Sequence, residues 1–231
     1  MCASPVPNPL EREEIMTETY LSGTKQDQPV DARELPKKRV LMFLAKGFVD
    51  SEAASILDVC GWTRYRPKFA TVEVDICAVN PQVDGAFGLR FDADALLDEI
   101  DPTRYDALVI PGGFHNLGFD EAYDERVRQL ARTMHEAGKP IATFCVGVLP
   151  VAEAGLLEGG CAATYALSSR HDNQGRLREL GCQVSDGPVV EWNGIISCSG
   201  PAYSDQVSYA ILRVLIGPEG AAEVERYRKG Q

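Results

Sequence analysis

The chain has seven cysteines in 231 residues but no C-x-x-C pair and no dense cysteine spacing. Reduced thiols in a cytoplasmic protein fit that usage better than a disulfide framework. Only three histidines occur, and they are scattered. With no paired cysteine ligands beside them, no metal site is expected. A G-x-x-x-x-G-K-[ST] pattern is missing, so Gly159-Gly160 reads as a turn and not as a phosphate loop. No apolar run approaches the length of a membrane-spanning helix. The first forty residues carry no apolar h-region, and Met1-Cys2-Ala3 lacks the hydrophobic segment that precedes a lipidated cysteine. Export is therefore not expected. Basic residues are outnumbered 23 to 34, giving a net charge of −11 and a pI near 4.8. Such a chain repels phosphate backbones and anionic lipid, which excludes nucleic acid and membrane surfaces as expected partners.

The length suits one compact α/β domain with tails. Residues 1–38 are rich in Pro, Glu, Asp, Thr and Gln and are expected to form a flexible or surface-draped extension. Arg39 to Ala45 is a continuous apolar run, as in a parallel strand buried on both faces. Asp50-Ser51 is expected to cap a helix from Glu52 to Gly61, with Ala53, Ile56, Leu57 and Cys60 on one face. Further strands are expected at Thr71–Ala78, Tyr105–Ile110, 141–144 and Cys161–Tyr165. Helices are expected at Ala93–Ile100, Glu121–Ala137, after Cys145 to Gly155, at Gly175–Leu180 and at 202–216. Asn193-Gly194 predicts a two-residue hairpin turn. The main domain then covers 39–217, and 218–231 is a short polar helix or tail. Alternating strands and helices imply a flavodoxin-like sandwich: a mostly parallel sheet with helices on both faces. Ligands in such folds gather at the carboxyl ends of the strands.

Ile141-Ala-Thr-Phe-Cys145-Val-Gly147 carries the chemistry. An apolar strand stops at a cysteine and small residues lead into a helix, which describes a nucleophile elbow. A thiolate there faces the positive end of a helix dipole, so its pKa is expected to fall. Gly47 to Glu52, Gly112-Gly113 and Cys145 all follow predicted strands, so they share the sheet edge where a site is expected. The other cysteines, Cys60, Cys77, Cys161, Cys182 and Cys198, fall in predicted strands or apolar helix faces and read as core.

The order of these elements, closed by Ser199-Gly200-Pro201, resembles the ThiJ/PfpI superfamily, which has the class I glutamine amidotransferase-like fold and includes the Parkinson-associated deglycase. The likeness runs from about Arg39 to Leu215. It implies that Cys145 is the nucleophile, that Glu52, five residues after Gly47, is a general acid/base, and that the N–H groups of Gly113 and Val146, beside Gly112, bind an oxyanion. A carboxyl group beside a thiolate would be kept protonated by the negative sulfur. Asp58 matches an acid that the deglycase branch presents across a dimer interface, and the resemblance implies a homodimer, since the family usually assembles through the surfaces near the first helix. Where the family places histidines, this chain has Val146 and Tyr165. His115 is then the substitute, with Tyr165 in support; His135 reads as a helix-terminus partner and His171 as surface. The implied activity needs no cofactor: glyoxalase- or deglycase-type chemistry on small 2-oxoaldehydes or their adducts. Alternatives are an isonitrile hydratase-like lyase, a redox sensor or chaperone using oxidation of Cys145, and an inactive subunit of a complex.

Overall fold

The computed structural model describes residues 36–66 and 68–230. Most of the expected N-terminal extension lies outside them. Its last positions, Lys37 and Lys38, already belong to the first strand, β1 (Lys37–Phe43), which thus begins two residues earlier than its apolar run. The two lysines extend it because their side chains reach solvent-facing acids, Glu73 at 2.8 Å and Asp106 at 2.9 Å. Val40 to Phe43 are fully buried, as a strand flanked by helices on both faces requires.

β1 is followed by α1 (Asp50–Gly61), β2 (Thr71–Ala78), the short hairpin β3 (Gln82–Asp84) and β4 (Arg90–Asp92), β5 (Ala95–Leu96) and β6 (Ala107–Ile110). Then come α2 (Glu125–Glu136), β7 (Ile141–Thr143), α3 (Val148–Glu153), β8 (Cys161–Ala162), α4 (Asn173–Glu179), β9 (Gln183–Val184), β10 (Val189–Trp192), β11 (Ile195–Cys198) and α5 (Ser204–Arg228). The main sheet has the order β10-β11-β7-β6-β1-β2-β5, with β10 alone antiparallel to its neighbour. From β1 the chain steps to β2 on one side and later returns to β6 on the other. That reversal opens a crevice at the carboxyl ends of β1 and β6. The β10–β11 turn has positive φ at both Asn193 (47°) and Gly194 (76°), the backbone a two-residue hairpin needs.

Several local expectations fail for identifiable reasons. Asp50 does not cap α1, whose N-cap is Val49. Its carboxylate instead accepts the N–H groups of Phe87 (3.1 Å) and Leu89 (2.7 Å) and pins the loop between β3 and β4. The expected helix at Ala93–Ile100 is edge strand β5 and one 3-10 turn. Eight residues hold a helix weakly, and the open edge of β2 captures them: Asp94 accepts from the Ile76 amide through its side chain at 2.7 Å. The helix expected from Glu121 starts at Glu125, because Asp124 turns its carboxylate onto the Arg126 amide and caps there. The strand expected from Cys161 to Tyr165 stops at Ala162 and pairs only with β9. Cys161 is half-exposed rather than core, while Cys60, Cys77, Cys182 and Cys198 are buried. Gly217 (φ 82°) and Pro218 kink α5, and beyond the kink Ala221 and Val224 are buried.

The kinked end of α5 is tied to α1. Arg228 donates to Asp58 (2.9 Å), Asp205 (2.9 Å) and the Tyr209 hydroxyl (2.7 Å). Ser55 on α1 donates to Asp205 at 2.7 Å. Asp58 and Asp205 are about half exposed, so solvent screens the pairs. Arg228→Met is expected to lower stability by about 1 kcal/mol in a urea titration, with a smaller loss in molar salt. An unchanged midpoint at low salt would show that these bonds contribute nothing.

Candidate functional site

β7 delivers the chain in extended form to Phe144, and Cys145 then turns with φ of 52°. A positive φ at a residue bearing a Cβ costs of order 1–3 kcal/mol, so the surroundings must enforce it. They do so through the main chain. Thr164 donates to the Cys145 carbonyl at 3.1 Å and the Gly147 N–H donates to the Phe144 carbonyl at 2.7 Å. The Cys145 amide faces the Cys198 sulfur, and the Val146 amide faces the Cys145 sulfur. Two glycines make room. A Cβ on Gly112 would lie 2.8 Å from that of Cys145, and one on Gly147 would lie 2.8 Å from the Pro111 carbonyl oxygen and nearer still to that of Ile110. Gly147→Ala is expected to cost about 2 kcal/mol by overpacking and to slow Cys145 alkylation. Thermal melting and a thiol-labelling rate check both, and an unshifted melt would refute the close packing.

Glu52 lies in the first turn of α1 and is fully buried. Its Oε2 accepts the Gly112 N–H at 2.7 Å, and its Oε1 has no partner among the described residues. Burial pushes its carboxyl from 4.5 up to about 8, partly countered by the Gly112 N–H. Glu52 is thus held protonated at neutral pH by desolvation, not by a neighbouring thiolate as the sequence reading supposed. The Cys145 thiol moves opposite to expectation. Burial first, and Glu52 second, push it well above the usual thiol range, against the Val146 N–H. The cysteine is only 7% exposed. The helix behind it, α3, has six residues and begins three positions later, so its dipole is short and not abutting.

The Gly113 N–H has no hydrogen-bond partner among the described residues, and Gly113 lines a cavity with Cys145 and Val146. The need for glycine there is internal: a Cβ would overlap the Phe119 ring and sit 2.8 Å from the Gly47 carbonyl oxygen. Gly112 does not line the cavity. Its N–H goes to Glu52 and its carbonyl accepts from Val49 at 2.9 Å, so it positions the carboxyl against the elbow.

The cavity is about 390 Å³, and Tyr165 and His115 also line it. Asp120 lies 2.6 Å from His115 Nδ1, and a carboxylate there only accepts. Nε2 is then the ring nitrogen left free. The His115 ring stacks on Tyr123 (5.5 Å) and meets the ring of His171 at 4.6 Å. His171, exposed as expected, thus also lines the cavity. Sequence reasoning missed that pairing, along with Asp120 and Thr164. The Asp120 signal was its five-residue spacing from His115 across Gly118. Asp58 is not brought to the cavity, since its carboxylate is taken by Trp62 (3.1 Å) and Arg228 (2.9 Å) of the same chain. His135 bonds the Asn193 carbonyl at 3.0 Å, away from the cavity.

A parallel sheet with a strained cysteine at a strand-to-helix elbow, facing a buried glutamate from the first helix, defines a class of α/β cysteine proteins. The chain belongs to the DJ-1/PfpI family, whose model matches residues 38–214. It is 29% identical over 164 residues to a deglycase of Thermococcus kodakarensis, covering 71% of this chain and 90% of that protein. It is 27% identical over 192 residues to DJ-1 homolog B of Arabidopsis thaliana, covering 81% of this chain but only 40% of that longer protein. The crystal structure of Drosophila melanogaster DJ-1beta superposes with a TM-score of 0.70 at 22% identity, covering 82% of this chain and 97% of the other. That likeness is one of fold. Among the described residues no helix is long and apolar enough to cross a membrane.

Proposed function

We propose that this chain is a cofactor-independent cysteine enzyme that converts small 2-oxoaldehydes or their adducts to hydroxy acids. One observation carries the reading: a cavity-lining cysteine on a strained elbow with a buried, protonated carboxyl beside it. The deglycase name of the Thermococcus relative supports the reaction class. In the first step the Cys145 sulfur bonds to the aldehyde carbon. The thiol proton passes to Glu52 as the proton of Glu52 passes to the carbonyl oxygen, so no free thiolate is needed. That relay suits a site in which both groups hold their protons. The N–H groups of Gly113 and Val146 stabilise the oxygen while it is charged.

His115 Nε2, with Asp120 fixing the other ring nitrogen, then takes the proton from the former aldehyde carbon and returns it to the neighbouring carbon, while the hydroxyl proton on the first carbon passes to the oxygen of the second. The enediol so passed through becomes a 2-hydroxy thioester. Water cleaves its carbon–sulfur bond, releasing the hydroxy acid and restoring the thiol. The overall balance is oxoaldehyde plus water to hydroxy acid, with no redox partner. The family's homodimer belongs to the same reading. Redox sensing draws less support, because sensor thiols are exposed and low in pKa, whereas Cys145 is buried with its thiol pushed up. Incubating the purified chain with methylglyoxal and following lactate by NMR tests the reading. Lactate formation that depends on Cys145 supports it, and none from a folded, alkylatable protein overturns it.

A further inference from the structure

The cavity is larger and differently charged than a three-carbon oxoaldehyde requires. At about 390 Å³ it falls in the range that encloses drug-sized ligands. Its lining includes the apolar side chains of Phe87, Phe114 and Leu167, which are 72%, 41% and 84% exposed. Phe87 and Phe114 meet edge to face at 5.6 Å. A monomer rarely leaves such rings together in water without a use for them.

The same lining carries a segment with Arg170 and His171, whose ring meets that of His115. Ser168 shapes it, accepting the amides of Arg170 (3.3 Å) and His171 (3.1 Å). Arg126, Arg128, Arg132, Arg176, Arg213 and Arg228 all have carboxylate partners. Arg170 has none among the described residues; Arg64, Arg66, Arg104 and Arg178 share that lack, but Arg170 is the arginine that lines the cavity, in a chain with 34 acidic residues and a net charge of −11. No carboxylate lines the cavity: Asp120 lies behind His115, and Asp172 caps α4 by accepting the Gly175 N–H at 2.7 Å. An unpaired guanidinium at the mouth of a carboxylate-free cavity on an acidic protein selects for an anion.

We infer that Arg170, with His171, forms a subsite for an anionic group, and that the substrate is a carbonyl electrophile joining a carboxylate or phosphate to an apolar spacer that packs on Phe87 and Phe114. The inference rests on Cys145 as the reacting group and names the substrate class for that same site. Its test does not depend on turnover. Rates of Cys145 alkylation by iodoacetate and by iodoacetamide are measured by peptide mass mapping at pH 7, where Glu52 is still protonated, on the full chain and on Arg170→Gln. Arg170 is exposed, so this change leaves the core untouched.

The acetate-to-acetamide rate ratio is expected to exceed that of a free thiol by about fivefold, to fall back in Arg170→Gln, and to shrink with added salt. A ratio equal to that of the free thiol, or one indifferent to Arg170→Gln, overturns the subsite. Protection of Cys145 from iodoacetamide by benzoate or by phenyl phosphate separates the two anion types, and protection by neither also overturns it. The two readings fail separately. Turnover of neutral methylglyoxal with no charge preference in alkylation removes the subsite and leaves the enzyme. Charge preference without turnover of any glyoxal, neutral or carboxylated, leaves the subsite and removes the oxoaldehyde chemistry.

Discussion

Cys145→Ser is expected to lower lactate formation from methylglyoxal by at least about 10³-fold while leaving the fold intact. Serine differs from cysteine by one atom and tolerates the same positive φ. The bonds that shape the elbow, from Thr164 to the residue 145 carbonyl and from Gly147 to Phe144, are made to the main chain and survive the change. What is lost is a nucleophile whose proton Glu52 can accept, since an alcohol gives up its proton far less readily than a thiol. The remaining buried thiols cannot replace it. Burial pushes Cys60 and Cys77 up to about 12 and Cys198 up to about 11, and none of the three lines the cavity. Stability should change by no more than about 1 kcal/mol, because the side chain is small and little of its area is apolar. Lactate measured by NMR beside a melting curve checks both halves. Turnover retained by a folded Cys145→Ser would move the chemistry to another residue.

The strands that build the site were legible because each is a short apolar run ended by turn chemistry. The runs at β1, β2, β6 and β7 sit where expected to within two residues, and their common carboxyl edge already placed Glu52, Gly113 and Cys145 together. Elements decided by contacts distant in sequence were not legible. Whether residues 93–100 form a helix depends on the free edge of β2, and whether Asp50 caps α1 depends on where the Phe87 loop passes. His171 read as surface because nothing local brings it to His115, and only the fold of 161–173 over the elbow does so. The pKa directions show the same limit. A helix terminus visible in sequence argued for a lowered thiol, but burial, which sequence does not display, raises both Cys145 and Glu52. A carboxyl and a thiol that both keep their protons exchange them in a relay, and a pre-formed ion pair is not required.

The buried carboxyl has a thermodynamic consequence that separates a working acid from a structural one. Its pKa is about 8 in the folded chain against 4.5 in the ordinary state. Between those pH values the folded chain holds a proton that the unfolded chain has released, so stability falls as pH rises through that window. At pH 7 the loss is about 3 kcal/mol, at 1.36 kcal/mol per pH unit from 4.5. Glu52→Gln has no proton to lose, and its amide oxygen can still accept the Gly112 N–H. Burying an amide N–H2 beside the thiol costs about 1–3 kcal/mol at every pH. The variant should therefore match or trail the wild type near pH 4.5, gain steadily on it up to about pH 8, and level off above. Turnover should fall by about 10²–10⁴-fold, the usual contribution of a positioned acid/base. Urea titrations of both proteins at half-unit pH intervals measure the slope, and lactate assays measure the rate. A stability difference that does not change with pH would mean that Glu52 is ionised in the fold. Unimpaired turnover in the more stable variant would mean that the carboxyl is kept for some purpose other than moving the proton, at a cost to stability that proteins tolerate only at functional positions.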